Sequence, residues 1–426
     1  MQNTLDRRNI FIIIYYILLL ALFLSWQNPN SVPGGASRIA YMIAVFAPVF
    51  IGNRRWLIAP VVIVFFTLAK FGYTSSYMPA MWYTYVFAII AALCLSKGYG
   101  SFNMDKRKAI LLLVSLFVLS SSIDIITSGK PSDSTPTLFV VILFVLAFNF
   151  GETLDYKALS YSFVVLSFTL SLQYLLMGVT FTDTVNTGGF EREGFKDINY
   201  SACIISLGVM VCLIHLFTVR FKENLKLSVL VCLTIVVSML ALAQNASRGS
   251  FFSIAAFFAF LIIFSNSKVG DKILIVSILA LLLFLLYGNG YFDLLEYRLA
   301  NDDRTGSRYY IWANKMSDFD RKSNVLTLLF GVGLQGGRDL GGGNSTHNDF
   351  LSFFLYYGIV GFLLFIAFMI FPFLKANRGN KGLVAAGTIG IAAISFTLEP
   401  FAKGMIPYYG FWLYLLVLGK IRKEQI

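Results

Sequence analysis

The chain has 426 residues, of which 57% are hydrophobic and 13% charged, with a mean hydropathy of +0.73. Soluble domains carry about 25% charged residues, so a water-soluble fold is excluded and lipid is the main solvent. The formal charge of +12 falls mostly between apolar runs, where membrane topology accounts for it, and no nucleic-acid partner is expected.

The first apolar run, Ile10 to Leu24, is followed by no small-residue cleavage site, only Trp26-Gln27-Asn28-Pro29, so it reads as a span with its core at 10–26 and not as a signal peptide. Further runs follow at 38–51, 56–71, 80–95, 109–124, 137–150, 158–177, 199–219, 227–244, 250–265, 271–288, 350–374, 383–398 and 405–419. The whole is an all-α polytopic membrane protein with about fourteen transmembrane helices. The pair 38–51 and 56–71 also fits a re-entrant hairpin. Cys94, Cys203, Cys212 and Cys232 all lie in apolar runs without metal-ligand spacing and read as small core residues.

With the N-terminus inside, the cytoplasmic segments hold 20 of the 34 basic residues, and both termini come out cytoplasmic. The chain then reads as one polytopic domain, 1–426, with two long outer loops, 178–198 and 289–349. The second is 61 residues long, a length at which loops are functional or carry their own structure. Within it, SRYYIWANKM from Ser307 to Met316 predicts an interfacial helix. The Gly-rich stretch from Gly331 to Asn344, GVGLQGGRDLGGGN, reads as loop.

Arginine is the informative residue on the outer side, where Arg192, Arg248, Arg304, Arg308 and Arg338 all fall. A guanidinium binds phosphate bidentately and stays charged at any working pH, so converging arginines suit a pyrophosphate. The competing reading is that they snorkel or pair with Asp302, Asp303 or Asp320. Arg248, in NASRGSFF between two apolar runs, sits at the membrane boundary, where an unpaired charge is costly. His347, in STHNDF at the entry to a span, suits a general base, or else a polar helix start with Thr346 or Asn348 capping. No nucleotide-binding, zinc or thiol motif is present, so neither cofactor nor bound metal is expected.

Taken in order, NASRGSFF, SRYYIWANKM, GVGLQGG and THNDFLSFFLYYGIVGFLLF, with an upstream ER and GFKDINYSA, resemble the superfamily of O-antigen ligases and O-antigen polymerases. The matching positions are Arg192, Gly194, Asp197, Asn199, Arg248, Gly249, Arg308, Trp312, His347, Asn348, Gly358 and Gly361. They span residues 190–365, and the N-terminal half carries no matching motif.

The resemblance implies a bacterial inner-membrane inverting glycosyltransferase with an undecaprenyl-pyrophosphate-linked glycan as donor, working at the periplasmic face. Polymerase is the favoured activity. The alternatives are a ligase onto lipid A core, a glycan-lipid transporter or flippase, and a non-catalytic scaffold. The resemblance implies catalytic roles for His347, Arg248 and Arg308 and substrate contacts for Arg192, Asn199 and Asn348; Arg304 and Arg338, outer-side arginines outside the matching motifs, are expected as further substrate contacts. Membrane lipids, a chain-length regulator and a flippase are the implied partners.

Overall fold

The computed structural model describes residues 156–177, 180–184, 189–193, 198–218, 225–301, 308–403 and 406–421. The six expected spans before residue 151, and Cys94 and Arg304, lie outside the described residues. The eight later spans each coincide with a helix: α1 (Tyr156–Met177), α2 (Ile198–Thr218), α3 (Leu225–Asn245), α4 (Arg248–Phe264), α5 (Val269–Gly288), then, beyond the long loop, three more. Five of the described helices are long and apolar enough to cross a membrane, and two more, α4 among them, are apolar but shorter.

The helical class carries one addition. The loop expected over 178–198 contains an antiparallel hairpin, β1 (Thr180–Thr184) and β2 (Gly189–Glu193), with Phe181 opposite Arg192. Threonine at alternate positions of β1 favours this pairing. The described part of the long segment 289–349 is built of short pieces: α6 (Asp293–Asn301), α7 (Arg308–Lys322), α8 (Val325–Phe330) and α9 (Gly333–Asp339), then a 3-10 turn, Leu340–Gly343. The expected interfacial helix is therefore α7. The expected loop over 331–344 is corrected to a helix and a 3-10 turn. Glycine serves close packing there, since a Cβ on Gly337 would lie 2.1 Å from the Tyr356 ring.

The last three helices are α10 (Asp349–Lys375), α11 (Lys381–Thr397) and α12 (Ile406–Lys420). Helices in lipid gain little from hydrophobic burial, so close packing through small residues holds them together. A Cβ on Gly208 of α2 would fall 2.1 Å from that of Ser167 on α1, and the Ser167 hydroxyl meets Ser238 of α3 at 2.8 Å. α4 and α11 run antiparallel in the same way. Gly249 lies against Thr397 at one end, and Gly382 against the Phe264 carbonyl at the other. α12 fills the centre with Tyr408, Phe411, Trp412 and Tyr414, all buried. Its Trp412 Nε1 donates to the Phe368 carbonyl of α10 at 2.9 Å.

α10 departs from the expected single span over 350–374. At Gly358 (φ 67°, ψ −164°) the backbone leaves the helix. In a straight helix Phe350 and Phe365 would stand about 22 Å apart along the axis; their ring centroids lie 5.4 Å apart, and Phe353 stacks on Phe365 at 4.2 Å. The helix is thus folded back into two limbs, 349–357 and 359–375. α8 seats on the bend. A Cβ on Gly358 would lie 2.4 Å from the Leu329 backbone, and one on Gly331 (φ 81°) would lie 2.2 Å from the Tyr356 carbonyl oxygen. Val332 N–H donates to the Leu355 carbonyl at 3.0 Å, satisfying one of the acceptors the break leaves open.

Candidate active site

Two segments meet at one end of the helices: 345–349, which leads into α10, and 398–403, which follows α11. Asp349 joins them. Its N–H donates to the Leu398 carbonyl at 3.1 Å, and its carboxylate accepts from Phe401 N–H at 3.2 Å and Ala402 N–H at 2.8 Å. Asn348 caps α10, its Oδ1 accepting from Leu351 N–H at 3.1 Å. Of the two uses expected for Asn348, the cap is the one formed by that oxygen.

Glu399 is the centre of the cluster. It is 2% exposed and accepts from the hydroxyls of Ser345, Thr346 and Ser352, the last at 2.9 Å. It also pairs with Lys403 at 3.2 Å. A buried carboxylate needs donors of this number to stay charged. Lys403 Nζ stands 4.9 Å from the Tyr200 ring centroid, which draws the start of α2 into the site.

His347 lies on the wall of this cluster in a left-handed conformation, φ 50°. That region is unfavourable for a residue with a Cβ, and strain of this kind gathers at functional sites. Among the described residues only Ala246 shares it, at φ 51°, two residues before Arg248. The Nδ1 of His347 is buried without a hydrogen-bond partner among the described residues. Burial, reinforced by Lys403, pushes the imidazole down to about 4; Glu399 opposes this, and Arg308 adds to it. The ring is therefore neutral at pH 7, and Thr346, the residue before it, ties the group together: its hydroxyl donates to Glu399, which pairs with Lys403, and its carbonyl accepts from Trp312, one turn along from Arg308.

α7 delivers Arg308 through one face. Arg308, Trp312, Lys315 and Phe319 recur at helical spacing. Trp312 Nε1 donates to the Thr346 carbonyl at 2.6 Å, and its ring meets Phe396 edge-on at 5.8 Å. Lys315, 1% exposed, donates to the carbonyls of Gly337, Arg338 and Leu340. Burial lowers its pKa, with Glu399, Asp339 and Asp318 opposing. The ammonium holds the Gly-rich turn against α7, and Phe319 closes the stripe on Phe354 at 5.3 Å. The opposite face, Tyr309 and Tyr310, is about 70% exposed, as suits a helix at an interface.

Not every expected residue joins the cluster. Arg248 opens α4 at the same end, because Gly249 beside it lies against Thr397, two residues before Glu399. Asn199 is exposed at the start of α2, next to Tyr200. Arg192 is in β2, Arg304 is outside the described residues, and Arg338 is exposed with its carbonyl held by Lys315. Glu399, Lys403, Lys315 and Asp349 were not among the expected site residues. One signal was available for the first two: a Glu and a Lys four apart beside Pro400, in a chain only 13% charged.

Residues 233–366 match the family model Wzy_C, O-antigen ligase. The match is consistent with the O-antigen polymerase and ligase superfamily, whose members are glycosyltransferase-like enzymes. It takes in Arg248, Arg308, Trp312, Lys315, Arg338, His347 and Asn348, and it ends before Glu399 and Lys403. A comparison with curated proteins returned no match.

Proposed function

We propose that this protein is an O-antigen polymerase, joining undecaprenyl-pyrophosphate-linked repeat units at the periplasmic face of the bacterial inner membrane. The observation that carries the reading is the convergence of Arg308, Lys403 and a neutral His347 at one end of a set of apolar helices. Positive charge at that end of apolar helices suits a pyrophosphate lying at the membrane surface. The opposite ends of the same helices carry Lys268, Lys375, Lys381 and Lys420, which supports a cytoplasmic assignment for that side.

In the proposed reaction an acceptor sugar hydroxyl attacks the anomeric carbon of the donor glycan. The bond from that carbon to the pyrophosphate oxygen breaks, and the lipid pyrophosphate departs with the electron pair. His347 takes the hydroxyl proton. Arg308 and Arg248 stabilise the charge that develops on the leaving oxygen. Arg192, Asn199, Arg304, Arg338 and Asn348 remain the proposed substrate contacts. An anion settling between Lys403 and Arg308 offsets two charges that hold the imidazole down, so the base strengthens when the donor is bound.

The second reading is a ligase that transfers a finished glycan to lipid A core, favoured by the description of the matched family. One experiment separates them. Glycan length is read on a gel for a deletion strain complemented with wild type, Arg308→Ala, Arg248→Ala or His347→Ala. A deletion strain carrying a single repeat unit on core means polymerase, and bare core with long lipid-linked chains accumulating means ligase. A normal ladder sinks both. Each variant, at normal protein level, is expected to lose about 10²–10³ in rate.

A further inference from the structure

We propose that Lys403 is a third cation contacting the anionic group of the substrate, and that Glu399 is the residue that positions both Lys403 and the His347 turn. The assignment rests on the reading of this site as one that takes a lipid pyrophosphate. Both residues lie beyond the segment that matches the family model.

The geometry is asymmetric in a useful way. The Glu399 side chain is 3% exposed and that of Lys403 is 35% exposed, so the carboxylate is enclosed by protein while the lysine side chain is partly open to solvent. Glu399 is anchored by three hydroxyls from segment 345–352. These are the residues flanking His347, so the same carboxylate shapes the strained turn and tethers the lysine. Tyr200 supports the ammonium from α2. Lys403 and Arg308 both act on His347 as cations against the single carboxylate of Glu399, so the surroundings of the imidazole carry net positive charge that an anionic substrate group would offset.

The groups facing His347 are Lys403, Glu399 and Arg308, and Asp349 lies two residues away with its carboxylate on the 401–402 backbone. The chain has two histidines, so a His215→Gln protein reports on His347 alone. The test uses this full-length protein, labelled with 15N-histidine in nanodiscs and titrated with inorganic pyrophosphate. Pyrophosphate is expected to shift the His347 resonances saturably. Lys403→Met should weaken that binding roughly 10- to 100-fold, the loss of one charge-assisted contact, and Lys403→Arg should restore most of it.

Glu399→Gln should weaken binding less and change the pH at which His347 titrates without ligand. Loss of the Glu399 charge by itself lowers that pH, so positioning is read from binding. Glu399→Gln should weaken pyrophosphate binding when Lys403 is present and add nothing in a Lys403→Met background, whereas a merely structural role would weaken both alike. If Glu399→Gln fails to fold, Lys403→Met with Glu399 intact carries the test. If wild type binds and Lys403→Met binds equally well, the assignment of Lys403 is wrong while the site reading stands. If wild type does not bind pyrophosphate, the site reading itself falls and takes the assignment with it.

Discussion

His347 combines three features that each cost stability: a left-handed backbone, a buried ring nitrogen without a partner among the described residues, and a position facing two cations. The last has a measurable sign. The unfolded imidazole titrates at about 6.5, and the folded one is held near 4. Between those values the unfolded chain takes up a proton that the folded chain refuses, so stability falls as pH falls through that window. In a His215→Gln background, thermal unfolding at pH 7.5 and pH 5 should show this loss, and His347→Gln should reduce it. Equal losses in both proteins would mean that the ring is not held neutral. Position and residue type made His347 and Arg308 legible in the sequence. Glu399 was not, because its three hydroxyl donors lie 47 to 54 residues earlier, and such proximity belongs to tertiary structure.

At the scale of elements, spans were easy to read and breaks were not. An apolar run is a property of composition, so the ends of each described helix fall within a few residues of the expected run, while the fold-back inside α10 is invisible to it. YYGIVG reads the same in a straight membrane helix as in a folded one, since glycine is common in both. Only contact with α8 distinguishes them. Gly358 and Gly331 each combine a positive φ with a backbone neighbour where a Cβ would sit, so neither tolerates a side chain. Gly358→Ala is expected to reduce the yield of folded protein severely, beyond the ~1 kcal/mol of an ordinary helical glycine change, and Gly331→Ala likewise. Gly379→Ala, with open space around its position, serves as the control and should resemble wild type in detergent unfolding. A stable Gly358→Ala protein with wild-type melting would contradict the fold-back of α10. The same limit explains α9. Seven residues containing three glycines carry no helical periodicity strong enough to see, and packing on Tyr356 makes the helix.

Across the whole molecule, the described helices bring acid, base and cation together at one end and basic loop residues at the other. That polarity follows from the alternation of spans. What the alternation does not convey is how long the crossings are. α4 and α11 have 17 residues each, α12 has 15, and the second limb of α10 covers 359–375. At 1.5 Å per residue these are about 22–26 Å, against roughly 30 Å for the hydrocarbon core of a typical bilayer. Of the helices that frame the site, α4 and the second limb of α10 are thus shorter than that core, while α2, which brings Tyr200, has 21 residues. On the proposed orientation, a bilayer that thins to meet these short helices would draw the phosphate layer of the outer leaflet toward Arg248 and Lys403. A lipid-linked donor would then descend with its neighbours and would not have to be pulled out of the leaflet. In vesicles of increasing acyl-chain length at constant headgroup, turnover should decline as the hydrocarbon thickens while the protein stays folded. A rate indifferent to chain length would show that the site draws its substrate up without help from the shape of the membrane.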